Sequence, residues 1–548
     1  MSDAVSGMLT IGVLVVLLAV THAPLGGWLA RVFTSEKHWR VERFAYRLCG
    51  VNPDKGQRWQ VYAASVGAFA ILSFVLLFVV IVGQGVLPFH HGESMHVDTA
   101  VNTAISFVTN TNWQSYAGEA GASQFVQAFG LTVQNFTSAA VGIAVVAALI
   151  RAIARQQGTT IGNFWVDLVR TTVRVLLPLA VVGAVLLVVG GVVQNLADPT
   201  TVTGVTGATQ VIPGGLVASQ EVIKELGTNG GGFFNANSSH PFENPNALTN
   251  LFEIFLILVI PFALPRAYGI MVGDRRQGHA ITAFMGVLWG SALALVTWAE
   301  VAASSGVAGS MEGKETRFGI WASTLFAAST TSTSTGAVNS MHESYSPAGG
   351  GVVLLNMMLG EISPGGTGSG LYGALVVAII TVFIAGLMVG RTPELLGKTV
   401  GRHEITLAAL YTLVTPAVVL VLSAIGIGLP VSRDALLGSG PHGLTEMVYA
   451  YTSAANNNGS AFAGLSADQP YLNLTLALAM ALGRFVPLVL VLALAGRFVV
   501  QRRRPVTAGT MPTHTPLFVT LLVSVALVVT GLTYFPTLAL GPIAEALQ

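Results

Sequence analysis

Charge is what this sequence has least of. Of its 548 residues only 9% are charged, against 52% hydrophobic, and the mean hydropathy is +0.68. So few Asp, Glu, Lys and Arg residues cannot cover a globular surface of this size with water-facing groups, which excludes an ordinary soluble protein and leaves the bilayer as solvent. Cysteine is nearly absent. Cys49 stands alone, so neither an intrachain disulfide nor a cysteine-ligated metal centre can form. A nucleotide site is also missing: in RTPELLGKT at 391–399, Thr392 occupies the place of the first glycine of a phosphate-binding loop, and no strand-like run precedes it. No basic and aromatic patch marks a nucleic-acid surface. His90, His91 and His96 could bind a surface metal, although a solvated loop accounts for them better.

Long apolar runs are what the chain does have. Ten are close to the roughly 20 residues that cross a hydrocarbon core as a helix. They lie near 9–30, 60–87, 124–150, 171–193, 248–272, 278–302, 350–390, 405–428, 472–499 and 514–540. The first reads as a retained span, because nothing basic precedes it and no small-residue cleavage site follows. All but five of the 26 Lys and Arg residues fall in alternate connections, 31–58, 151–174, 266–276, 391–402 and 497–504. Basic loops stay cytoplasmic, so both termini are expected outside. The opposite loops are acidic, with Asp98, Glu119, Glu221, Glu225, Glu243, Glu343 and Glu446 among their residues, and either draw cations electrostatically or form a solvated face. Glu253 reads as interfacial.

The outer connections repeat. After spans two, four, six and eight comes a helix-compatible stretch and then a run of small and amide residues: FVTNTNWQ at 107–114, GTNGGGFFN at 227–235, TSTSTGAVN at 331–339 and AANNNGSAF at 454–462. Aligning the small polar pairs makes Asn110, Gly230, Gly336 and Gly459 equivalent. Any one such run reads as a turn, but four at near-regular spacing indicate a repeat architecture. An ion-selective constriction needs this chemistry: short helices with their negative C-terminal ends at a pore, then extended backbone whose carbonyls replace the hydration shell of a cation. Glycine lets several carbonyls face inward without side-chain collision. Thr, Ser and Asn flanks without a carboxylate ring suit a monovalent cation.

The seventh run is about twice the length a span needs. Its middle reads GEISPGGTGSG, and Pro364 with its neighbouring glycines must break a helix there. An intramembrane loop keeps the basic-loop alternation, whereas a surface loop would shift it. Glu361 in the break and Arg484 in the ninth run are charges in apolar surroundings, which normally face a cavity or a partner. Lying below the filter with opposite signs, they are expected to pair, and Glu361, Gly365, Gly366, Gly368 and Arg484 are expected to gate the path.

The combination VTNTNWQ, GTNGGGFFNANSSHPFENP, ASTTSTSTGAVNSMH and SAANNNGSAFAGL closely resembles the potassium-translocating A subunits of the bacterial Kdp ATPase, across essentially the whole chain. The resemblance implies an all-α polytopic protein of four fused membrane-pore-membrane units with re-entrant loops around one pore, as in the Trk, Ktr and HKT transporters. Its units are expected at 59–158, 159–276, 277–402 and 403–504, flanked by a first span with its cytoplasmic loop at 1–58 and a last span at 505–548. It implies potassium as the substrate and no covalently bound cofactor. ATP would be used by a P-type ATPase B subunit, accompanied by a single-span C subunit and a small F subunit, in a bacterial inner membrane. The potassium-binding filter carries over to Thr109, Asn110, Thr111, Thr228, Asn229, Gly230, Gly231, Thr335, Gly336, Asn458 and Gly459, with Gln114 close by. This chain itself lacks the DKTG phosphorylation sequence of P-type ATPases and any loop long enough for a nucleotide domain. A self-sufficient Trk-like channel or symporter remains the alternative function, and a non-conducting scaffold is disfavoured by the filter-like repeats.

Overall fold

The computed structural model describes residues 3–88, 95–197, 199–304, 311–388, 390, 392–505 and 510–548. The protein is mostly helical. Among the described residues, ten helices are long and apolar enough to cross a membrane: Asp3–Thr34, Trp59–Val82, Val126–Ala154, Phe164–Val189, Ala247–Met271, Arg275–Ala303, Ser369–Met388, Arg402–Gly428, Pro470–Val500 and Pro516–Ala546. Each apolar run of the sequence contributes one of them. The seventh run is divided, as its composition requires, into Pro347–Met358 and Ser369–Met388. Between them Gly360, Gly365 and Gly368 adopt φ of +81°, +80° and +97°, a left-handed backbone that cannot continue an α-helix.

Apolarity does not separate inner helices from outer ones. In the most apolar window of Val126–Ala154, 78% of residues are buried, and in Arg402–Gly428 only 11%, although both helices are strongly hydrophobic. Where lipid replaces water outside, surface and core share one composition, and small residues select the packed faces instead. Val126–Ala154 accordingly buries Ala139, Ala140, Ala144, Ala147 and Ala148 completely or nearly so.

Four short helices, Val97–Val108, Val217–Leu226, Gly319–Ser332 and Gly440–Ala455, each follow an even-numbered span. In an alternating bundle that places all four at one end. The first packs against the ninth span, where Asn102 donates to the Asn473 carbonyl at 2.7 Å and Asn473 donates to Asp98 at 2.8 Å. The set of repeats is thereby closed into a ring.

The structure corrects the reading of the charged loops. Glu221, Glu225, Glu243, Glu343 and Glu446 are buried, not spread over a negative outer surface, and Asp98 and Glu119 are half-buried. Glu253, near the end of the fifth span, is enclosed by protein: its exposure is 0%. Hydropathy sees only that a carboxylate lies near the end of a run, whereas its burial depends on the short helix packed alongside. In the 391–399 segment, Lys398 donates to the Gln501 carbonyl at 2.6 Å from a two-stranded hairpin, Glu394–Leu395 with Lys398–Thr399, while Arg391 lies outside the described residues. His90 and His91 also lie outside them, and His96 is exposed.

Candidate functional site

Three of the short helices stop in the same way. After the last helical turn a residue enters the left-handed region, Asn110 at φ 71°, Thr228 at 50° and Asn457 at 58°. The next amide then reaches back five residues: Thr111 to the Ser106 carbonyl at 3.0 Å, Asn229 to Lys224 at 3.0 Å and Asn458 to Ser453 at 2.9 Å. This closure satisfies a terminal carbonyl and turns the chain away from the helix axis. The third helix is held differently, the Gly365 amide of the break donating to the Ser332 carbonyl at 2.9 Å.

Beyond these closures the four loops meet. A methyl group placed on Gly230 would lie 2.5 Å from the carbonyl oxygen of Thr111, 2.6 Å from that of Asn458 and 2.8 Å from that of Thr335. Those three carbonyls come from the three other loops, so Gly230 stands where all four converge. On Gly459 the added atom would collide with the Thr111 carbonyl and lie 3.2 Å from Gly230 Cα, and on Gly336 it would collide with the Asn458 carbonyl. Gly336 and Gly459 also have φ of +77° and +106°, so conformation and space both exclude a side chain there.

The register of the first loop differs from the sequence alignment. Thr111, Asn229 and Asn458 make the same helix-closing bond, so Asn112, at φ 57°, occupies the place of Gly230 and Gly459. Asn110 is two residues away from it. The Thr-Asn repeat in VTNTNWQ supports more than one alignment of small polar pairs, and only the helix end fixes one. The Asn110 side chain is a strut between loops: its amide donates to the Thr228 carbonyl at 2.7 Å, and Ser138 donates to its oxygen at 2.8 Å. Ser138 also donates to Asn229 at 3.2 Å, and Asn112 bonds Asn135. Ser138 and Asn135 belong to the third span, and among apolar residues there the sequence offers only their polarity as a signal. Thr109 and Thr111 share a hydroxyl contact of 2.9 Å, and Asn457 donates to Thr111 Oγ1 at 3.0 Å.

On one side of the convergence lies a cavity of about 830 Å³, whose lining includes Gln114, Gly231, Gly336 and Gly459. Gln114 clasps the glycine run, its Oε1 accepting from the Gly232 amide at 2.9 Å. On the other side the broken segment packs against the helix ends. The Thr367 amide donates to Thr228 Oγ1 at 2.8 Å, Gly366 lies against Ser334, and Gly368 against Gly142 of the third span. A second cavity, of about 110 Å³, is lined by Ser334, Glu361, Tyr372, Asn457 and Arg484.

Glu361 and Arg484 share that cavity but not an ion pair. Glu361 accepts from the Asn458 side-chain amide at 2.8 Å, and Arg484 donates to the Ser138 carbonyl at 3.3 Å. Each charge is turned to a nearer partner, so the expected direct pair is not formed. With the two charges in one cavity and no direct bond between them, a double-mutant cycle with Glu361→Gln and Arg484→Gln, read as apparent potassium affinity of uptake, is expected to show a coupling of no more than about 1 kcal/mol, below that of a direct buried pair. A coupling several times larger would restore the pair.

Behind the second loop is a buried charge cluster that the sequence does not announce. Lys224 lies 2.7 Å from Glu221, 3.4 Å from Glu225 and 3.7 Å from Glu243, and all four are at most 1% exposed. One oxygen each of Glu221, Glu225 and Glu253 lie within 4.8 Å of one another, and among the described residues neither oxygen of Glu253 has a well-formed hydrogen bond, the nearby Ser238 hydroxyl donating to Glu221 at 2.8 Å instead. Burial pushes the Glu243 carboxyl up to about 8, with Lys224 opposing the rise and Glu221 adding to it. Lys224 also supplies the carbonyl that closes the second helix at Asn229, so this cluster supports the loop carrying Gly230.

With this geometry in view, the relatives agree with one another. A chain from Kineococcus radiotolerans is 60% identical over 100% of this chain and 99% of its own length, and one from Streptomyces coelicolor is 57% identical over 100% of both. Both carry the name potassium-transporting ATPase potassium-binding subunit. Among solved structures, the potassium transporter TrkH from Vibrio parahaemolyticus superimposes with a TM-score of 0.53 at 13% identity, covering 89% of this chain and 96% of that one, a likeness of fold alone. The model of the family described as potassium-transporting ATPase A subunit matches residues 12–547, and the chain belongs to that family.

Proposed function

We propose that the chain is the potassium-selecting subunit of an ATP-driven uptake complex in a bacterial inner membrane, with the short helices entering from outside. The observation that carries this reading is the meeting of the Thr111, Thr335 and Asn458 carbonyls at Gly230. Backbone oxygens aimed at one point replace the water around a desolvated cation, and their partial charges, without a carboxylate ring, suit a single positive charge. The full binding set is Thr109, Asn110, Thr111, Thr228, Asn229, Gly230, Gly231, Thr335, Gly336, Asn458 and Gly459, to which the backbone register adds Asn112. The names of the relatives support potassium as the ion.

In this reading the ion leaves the filter for the cavity at Glu361 and Arg484. The broken segment with Gly365, Gly366 and Gly368 gates it, and the fixed charge of Arg484 opposes direct passage across the membrane. A P-type ATPase B subunit, associated with the C and F subunits, hydrolyses ATP and receives the ion. Purified chain is expected to show no potassium-stimulated ATP turnover and no selective current in planar bilayers, and the copurified complex to show potassium-stimulated turnover. Turnover by the isolated chain would overturn the division of labour. A potassium-selective current through the isolated chain would favour a self-sufficient channel.

A further inference from the structure

We propose that the helix Arg40–Leu48, on the connection between the first and second spans, is an interfacial anchor that binds anionic lipid of the leaflet on that side. The helix RVERFAYRL has three distinct faces. One is fixed to the protein: Glu42 is 0% exposed and ion-paired with Arg174 of the fourth span, Tyr46 is 2% exposed, and Arg174 also lies over the Trp39 ring at 4.7 Å. Val41, Phe44 and Leu48, spaced i, i+3 and i+7, form a second face and are 61%, 66% and 76% exposed. Arg40, Arg43 and Arg47 form the third, flanking the apolar stripe on the side away from Glu42, and all three are exposed. Among the described residues none of these arginines has an ion-pair partner.

An apolar stripe bordered by arginines, on a helix fixed at the ends of membrane spans, matches the headgroup boundary. The stripe enters the acyl region and the guanidinium groups meet the phosphates above it. Lipid also accounts for the charge. A neutral apolar partner would leave three unpaired arginines at its rim, whereas an anionic leaflet pairs them and attracts each one. The helix cannot roll to hide the stripe, because Glu42 and Tyr46 fix its rotation.

The sole cysteine makes the test direct, since Cys49 is exposed and directly follows the helix. Bimane attached to Cys49 of the full chain, alone and in the assembled complex, is placed in nanodiscs of equimolar phosphatidylglycerol and phosphatidylcholine in which either the one lipid or the other is brominated. Quenching is expected in both, about twofold stronger where the anionic lipid is brominated, as local attraction of headgroups to three arginines implies. The triple variant Arg40→Gln, Arg43→Gln, Arg47→Gln should lose the preference with thermal stability unchanged, and Phe44→Asp should lose quenching in both lipids. Equal quenching by the two lipids would overturn the anionic preference. Absence of quenching, or quenching that disappears when the partner subunits assemble, would show that water or protein covers this face.

Discussion

Replacing Gly230 with alanine is expected to weaken the apparent potassium affinity of uptake by the assembled transporter about 100-fold, a loss of roughly 2.7 kcal/mol. The single added carbon meets three backbone carbonyl oxygens at 2.5–2.8 Å, and none of these can rotate aside as a flexible side chain would. All three loops must move, and the same oxygens are the proposed ligands. Selection against rubidium and sodium should relax at the same time, because discrimination rests on the positions and number of those oxygens. Gly230→Asp, Gly336→Ser and Gly459→Ser should behave alike, the last two with a conformational cost added by their positive φ. Gly286→Ala is the control: it lies on the sixth span with nothing within 4 Å of an added carbon, and uptake should be unchanged. If all the loop variants kept wild-type ion dependence in uptake assays, the filter assignment would fail.

The span pattern was legible in the sequence because hydropathy and basic-loop alternation report directly on the solvent around each segment. The break at Pro364 was legible for a related reason, since proline and clustered glycines forbid helix whatever surrounds them. The four loops could be found by repetition, but Asn112 could not be chosen over Asn110, because composition in VTNTNWQ does not mark where the helix closes. The expectation of a direct Glu361–Arg484 pair rests on opposite sign and similar depth. Neither property reports direction, and each side chain points to a closer partner, Asn458 in one case and the Ser138 carbonyl in the other. The burial of Glu253 is not legible, because its surroundings come from a helix about thirty residues earlier, which no local window contains.

That buried cluster leads to the second large effect. Lys224→Met is expected to destabilise the folded chain by about 3–5 kcal/mol, the usual consequence of removing one member of a buried charge network. Glu221, Glu225, Glu243 and Glu253 are all at most 1% exposed, and Lys224 is the cation within 4.0 Å of the first three. Without it, carboxylates close to one another must be ionised in a low-dielectric site or take up protons, and either state costs free energy. The damage should reach the filter, because the Lys224 carbonyl closes the helix that presents Thr228, Asn229 and Gly230. Glu253→Gln should act in the opposite direction. It removes a carboxylate that has no well-formed hydrogen bond among the described residues and lies beside Glu221 and Glu225, at nearly constant volume, so thermal stability should rise. The double variant Lys224→Met, Glu253→Gln should therefore recover part of the yield and melting temperature lost in Lys224→Met. Fluorescence size-exclusion thermostability of the three variants in detergent provides the measurement. If Lys224→Met melted at the wild-type temperature, the carboxylates would already be neutral in the native protein and Lys224 would contribute little. If Glu253→Gln destabilised the chain, Glu253 would have a favourable partner in the folded protein.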